Sequence, residues 1–234
     1  LMIEALQYDF MQNALLAGIL VSISAGIIGS LVIVNRITFL AGGIAHSSYG
    51  GIGLAIYLGI PVLFGATIFA IFTAILIAVL TLNDKKRIDS IIGIMWATGM
   101  AIGIVFVDMT PGYNVDLMSF LFGNILMIAS EDLYWIAGLD SLILVIVFLF
   151  YKQFIAVSFD EEFARLRGIP VERFYLLFLS LVALTVVILI QIVGLILVIA
   201  LLTLPAAIAG LYVRSLSLMM ILATLFGMVF TTGG

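Results

Sequence analysis

The chain has no cysteine, a single histidine and four prolines, and only 9% of its 234 residues are Asp, Glu, Lys or Arg. Without cysteine there are no disulfides, no thiolate metal ligands and no cysteine nucleophile. The shortage of charge excludes a soluble globule and a disordered chain, since soluble domains carry about 25% charged residues. Nine Lys and Arg cannot solvate the surface of a domain this size. No basic residue precedes Arg36, so a secretory signal peptide, which needs a basic n-region, is not in view. Several catalytic signatures are missing as well. There is no G-x-x-x-x-G-K-[ST] loop to bind ATP, no H-E-x-x-H and no G-x-S-x-G. The chain is therefore not expected to be an enzyme, and it cannot itself be an ATP-driven motor.

What the chain has in abundance is apolar surface: 65% of its residues are hydrophobic and the mean hydropathy is +1.39. That describes a polytopic membrane protein, whose backbone must satisfy its own hydrogen bonds in helices or in a closed barrel. The apolar runs are continuous, about 15–22 residues each, with no period of two, so they are helices. The expected fold is all-α, with about eight transmembrane spans near 13–34, 39–58, 62–82, 91–107, 133–150, 174–193, 195–213 and 216–230. A further apolar piece at 117–128 is too short to cross and suits an external or re-entrant helix. With these spans, all nine basic residues fall on one side of the membrane: Arg36, Lys85, Lys86, Arg87, Lys152, Arg165, Arg167, Arg173 and Arg214. The positive-inside rule makes that side the cytoplasm and puts the N-terminus outside. The outer loop from Asp108 to Asp132 is acidic and holds no basic residue.

Few side chains in the spans carry chemistry. His46 lies near the middle of the second span, within Ala41-Gly42-Gly43-Ile44-Ala45-His46-Ser47-Ser48-Tyr49-Gly50-Gly51. An ionisable group at membrane depth faces a protein interior or a wet cavity, and neutral imidazole is a ligand for zinc, manganese or iron. One histidine alone makes a transient site, as a permeation path requires. A hydrogen-bonded core histidine is the alternative. Asp140, inside the fifth span, could line the same path, lie near the outer interface or pair with a hydroxyl. Ser130-Glu131-Asp132 reads as an N-cap followed by acidic residues on the positive helix end. Thr203-Leu204-Pro205 predicts a kink, which is either a packing feature or a broken helix beside the path.

The longest cytoplasmic segment, 158–173, reads as a short helix with an acidic first turn, basic residues near its end, then Gly168 and Pro170. Phe159, Phe163 and Leu166 are spaced i, i+4, i+7 and form an apolar stripe. Such a stripe can dock a cytoplasmic partner or rest on the inner leaflet.

Three stretches, in this order and spacing, carry a resemblance across nearly the whole chain. They are 39–53 around His46; Leu121-Phe122-Gly123-Asn124-Ile125-Leu126 with Ser130-Glu131-Asp132-Leu133; and Phe159-Asp160-Glu161-Glu162-Phe163-Ala164-Arg165 through Gly168-Ile169-Pro170, followed by Gln191-Ile192-Val193-Gly194 and Thr203-Leu204-Pro205-Ala206-Ala207. With them the chain resembles the permease subunits of the zinc/manganese/iron family of ATP-binding-cassette importers. The resemblance implies one transmembrane permease domain over 1–234, in the cell (inner) membrane of a bacterium or archaeon. It implies a homodimer, two cytoplasmic ATP-binding subunits and an external metal-binding protein, with a divalent metal as substrate, ATP used by the partner, no bound cofactor and no nucleic acid. It places His46 on the metal pathway. Many relatives have an Asp four residues before that His, where this chain has Gly42. It assigns Phe159, Glu162, Phe163, Ala164, Leu166 and Gly168 to contact with the ATPase. It also implies one more hydrophobic segment than the chain holds. A permease for iron chelates or vitamins and a self-contained secondary metal carrier are the competing expectations.

Overall fold

A computed structural model describes residues 8–82, 84–111, 122–123, 125 and 128–233. Among these residues the secondary structure is helical, with no strand. The helices are α1 (Asp9–Val34), α2 (Thr38–Leu58), α3 (Val62–Thr81), α4 (Ile88–Asp108), α5 (Ser130–Leu149), α6 (Tyr151–Phe159), α7 (Glu161–Leu166), α8 (Val171–Tyr212) and α9 (Leu216–Gly233), with a 3-10 turn at Lys85–Arg87. Most of the short helix expected at 117–128 lies outside the described residues.

Six helices, rather than the eight spans expected, are long and apolar enough to cross a membrane: α1, α3, α4, α5, α8 and α9. Two features account for the difference. Helix α2 has 21 residues, but its glycines, serines and His46 dilute its hydropathy. The expected spans 174–193 and 195–213 form one 42-residue segment, α8, interrupted at Gly194 (φ 74°, ψ 170°). That torsion pair is open essentially to glycine alone. The kink expected at Thr203-Leu204-Pro205 is not where the backbone departs from helix: Pro205 lies inside α8 and the non-helical residue is Gly194.

The chain divides into two compact units. The first comprises Leu1–Arg36, Met118–Tyr151 and Ile188–Gly234. It packs α1 against α5, α9 and the second half of α8 through small residues. A Cβ on Gly26 would lie 2.5 Å from the Thr224 backbone nitrogen, and one on Gly29 would lie 2.0 Å from the Leu202 carbonyl. Backbones this close gain dispersion contact where lipid supplies no hydrophobic drive. Polar groups in the seam are satisfied locally. Ser22 donates to the Gly18 carbonyl at 2.6 Å and its hydroxyl meets that of Thr231 at 3.2 Å. Ala206, Ala209, Met219 and Ala223 form a buried cluster beside them.

The second unit comprises Ile37–Leu117 and Lys152–Val187. Here α2 is the central helix, buried along most of its length. Helix α4 meets it through Ile92, Gly99 and Gly103, spaced i, i+7, i+11 on one face. A Cβ on Gly99 would lie 2.4 Å from Ser47 Cα, and one on Gly103 would lie 2.4 Å from the Tyr49 carbonyl. At the cytoplasmic end, as the charge pattern orients it, Phe154 packs edge-on against Phe174 and Phe178. The hydroxyls of Thr81 and Tyr175 meet at 3.0 Å.

Candidate functional site

The backbone around His46 is fixed by close packing on both sides of it. One turn before, a Cβ on Gly43 would lie 2.2 Å from Ile92 Cγ2; one residue after, Ser47 touches Gly99. The imidazole itself is half-buried. It lies flat on the indole of Trp96, with ring centroids 4.0 Å apart and planes 6° from parallel. Its Nδ1 is buried and has no hydrogen-bond partner. The flanking serines do not supply one: Ser47 donates to the Ile44 carbonyl at 3.1 Å and Ser48 to the Ala45 carbonyl at 2.6 Å. On its buried edge the imidazole therefore has no hydrogen-bond partner among the described residues. An unpaired nitrogen edge on a ring of fixed plane can ligate a cation through its in-plane lone pair.

Gly42 stands four residues before His46, and among the described residues no group of three His, Cys, Asp or Glu is placed to hold a metal ion. The arrangement suits a passing ion better than a resident one. Trp96 could not be assigned to this site from the sequence, because the register of α4 on α2 is not written in either helix alone. A signal did exist: Ile92, Trp96, Gly99 and Gly103 are spaced i, i+4, i+7, i+11.

Asp140 belongs to the other unit. Its carboxyl is 2% exposed, set against Ser24 of α1, and its Oδ1 has no partner. The Ser24 hydroxyl donates to the Val21 carbonyl at 3.3 Å. The N-cap expected at Ser130 is corrected: Ala129 precedes the helix, its N–H donates to Asp132 Oδ2 at 3.4 Å, and the Ser130 hydroxyl instead accepts from Asn13 Nδ2 at 3.2 Å. Also in this unit, an apolar hollow of about 580 Å³ is lined by residues including Ile27, Val147, Phe148 and Met220, with no charged group on its wall. At the break in α8, a Cβ on Gly123 would lie 2.3 Å from the Gly194 nitrogen, and Gln191 Oε1 just before the break is buried without a partner.

The cytoplasmic segment has the helix and stop signals read from its sequence. Asp160 caps α7 by accepting the Phe163 N–H at 2.9 Å. The helix closes at Gly168 (φ 76°), where the Gly168 and Ile169 amides donate to the Arg165 and Ala164 carbonyls at 2.9 and 3.0 Å. This is the left-handed glycine stop of a Schellman turn. Arg165 pairs with Glu172 across the loop, and the Arg167 guanidinium lies over the Phe163 ring at 4.9 Å. One element differs from expectation. Phe159 ends α6, and the extended Asp160 (φ −153°) separates it from the helix bearing Phe163 and Leu166. Phe159, Phe163 and Leu166 are nonetheless exposed, at 65%, 46% and 88%. Ala164 is fully buried and points into the protein; Glu162 is exposed. The segment presents apolar side chains outward on a braced loop.

The ABC 3 transport family matches residues 7–234 of the chain. The chain is 50% identical over 229 residues to the uncharacterized membrane protein slr2045 of Synechocystis, which spans 98% of this chain and 82% of that protein. It is 35% identical over 231 residues to the manganese transport system membrane protein MntC of Halalkalibacterium halodurans, covering 99% of this chain and 79% of that one. Among solved structures it is similar to PsaBC from Streptococcus pneumoniae in complex with Fab, with TM-score 0.85, 36% identity, and 97% of this chain and 82% of that chain covered.

Proposed function

The chain belongs to the ABC 3 transport family, and from that premise we propose that it moves divalent transition-metal ions (manganese, zinc or iron) inward by alternating access across a permease dimer. It is a multi-pass membrane permease subunit of a metal importer and not an enzyme. Manganese is the first candidate, because it is the metal in the relative's name. In this proposal two cytoplasmic ATP-binding subunits supply hydrolysis, an external protein delivers the ion, and the loop carrying Phe163 transmits the motion. The observation that carries the reading is His46, a half-buried imidazole with an unpaired Nδ1 at mid-helix in a seam of glycines and serines. A lone neutral ligand binds weakly enough to release its ion, which transport requires.

A permease for metal chelates is the nearest alternative. It would call for a wide polar cavity, and the large hollow in the first unit is apolar. The test is uptake by the complex reconstituted in vesicles, with and without ATP, for wild type and His46→Ala. The expected result is ATP-dependent uptake of manganese that falls at low metal concentration in the variant. Uptake without ATP would make the protein a secondary carrier. Wild-type uptake by His46→Ala at all concentrations would remove His46 from the pathway.

A further inference from the structure

We propose that Trp96 is the positioning residue of this pathway: its indole holds the imidazole of His46 in one plane and so sets the direction from which a divalent cation is ligated. The inference rests on the reading of His46 just given.

Three observations support it. The first is the stack, parallel within 6° at 4.0 Å between centroids. A histidine flanked by small glycines and serines would otherwise be free to turn about its side-chain torsions. A flat aromatic wall removes that freedom and closes one π-face of the ring. It does not compete with the cation, because imidazole ligates metals in its own plane through a nitrogen lone pair. The second is that the stack is built into the helix pair. Ile92 against Gly43 and Gly99 against Ser47 bracket it before and after, at separations that leave no room for a Cβ. Neither helix can rotate or slide without breaking those contacts, so the two rings are held in register. The third is position. Tryptophans that anchor a protein in a membrane lie at helix ends, with the ring at headgroup level. Trp96 is near the middle of α4 and half-buried.

The chemistry explains why such a residue matters here. Among the described residues no group of three His, Cys, Asp or Glu is placed to hold a metal, so the ligand proposed is one nitrogen of His46. Fixing that nitrogen in advance avoids the cost of immobilising the side chain on each capture. Trp96 touches the ligand and not the ion, so its loss should weaken capture more than it slows turnover.

Only two tryptophans occur in the chain, Trp96 and Trp135, and Trp135 lies in α5, an exposed residue of the other unit. Trp135→Phe therefore leaves Trp96 as a single reporter against the imidazole. In that background, the permease in lipid nanodiscs is titrated with Mn²⁺ and with Zn²⁺, Mg²⁺ serving as control. Emission should change saturably with the transition metals, and His46→Ala should abolish the response. In reconstituted uptake, Trp96→Leu should raise the apparent KM for metal about 3- to 10-fold, as expected for releasing one held side chain, with maximal rate within about twofold. Trp96→Phe, which keeps a flat ring, should recover most of the loss. If Trp96→Leu does not insert, the Trp96→Phe variant and the emission titration decide the question. An uptake curve for Trp96→Leu that overlays wild type, while His46→Ala is impaired, overturns the positioning role and leaves the His46 pathway standing. No emission response to either metal together with normal uptake by His46→Ala overturns both.

Discussion

The carboxylate of Asp160 accepts the backbone N–H of Phe163 at 2.9 Å, so the short helix bearing the exposed Phe163 and Leu166 begins at a side-chain cap. A six-residue helix has no stability of its own. The cap, the Arg165–Glu172 pair and the glycine stop at Gly168 hold it. Asp160→Ala should cost the loop about 0.5–2 kcal/mol. Gly168→Val should cost more, since a β-branched residue resists φ of 76°. Neither position is in a transmembrane helix, so insertion should be normal. ATPase co-purification should fall for Phe163→Ala, by about 2–4 kcal/mol of binding if that ring is an anchor. For Gly168→Val, hydrolysis should persist while uptake drops. Wild-type co-purification and uptake by Phe163→Ala would mean the ATPase docks elsewhere.

A second expectation concerns orientation. All nine basic residues fall on one side if 117–128 does not cross the membrane. The chain has no cysteine, so single cysteines report cleanly. With Glu131→Cys, Lys152→Cys and Arg167→Cys, all at exposed positions, an impermeant thiol reagent added to intact cells should label only Glu131→Cys. Outside labelling at Lys152 would require 117–128 to cross.

Helix positions were legible because apolar run length and glycine stops act within a few residues of sequence. Gly168 is an example: the sequence pattern alone names the turn. Partner identity was not legible, because it depends on register between distant segments. His46 could be singled out as costly in hydrocarbon, but not that Trp96 covers it. Asp140 could be singled out as a carboxyl inside a span, but not that it would be almost fully buried. Ser130 looked like a cap because the local pattern fits one. Asn13, more than a hundred residues away, takes its hydroxyl instead. Pro205 drew attention as the residue that breaks helices, yet the non-helical residue is Gly194, whose torsions only its lack of a side chain permits.

The seam between α2 and α4 gives a stability prediction. At Gly99 and Gly103 an added Cβ would lie 2.4 Å from backbone atoms of Ser47 and Tyr49. Backbone cannot move aside as a flexible side chain does. Gly99→Val and Gly103→Val should each destabilise the permease by about 1–3 kcal/mol or more, seen as a lower thermal midpoint in detergent. Gly93, whose added Cβ would meet nothing within 4 Å, is the control: Gly93→Ala should leave the midpoint unchanged or raise it slightly, as a helix-interior glycine gains from alanine. Equal midpoints for all three variants would mean that the helices do not pack through this face.

Asp140 allows charge and shape to be separated. It is a carboxyl almost without exposure, against Ser24, with Oδ1 unpaired. A group on an ion path must be reachable by the ion, and among the described residues no other His or acidic side chain gathers with it to form a metal cluster. We predict a packing role, in which the side chain's size matters and its charge does not. Asp140→Asn keeps size and hydrogen-bonding capacity. It should transport metal within about twofold of wild type and unfold near the wild-type midpoint, since the buried side chain keeps its size and shape. Asp140→Ala leaves a void beside Ser24 and should cost about 1–3 kcal/mol. Its uptake per folded molecule should still be close to normal. A loss of uptake in Asp140→Asn as deep as in Asp140→Ala, with the thermal midpoint of Asp140→Asn unchanged, would show that the carboxylate charge itself is used and would return Asp140 to the metal pathway.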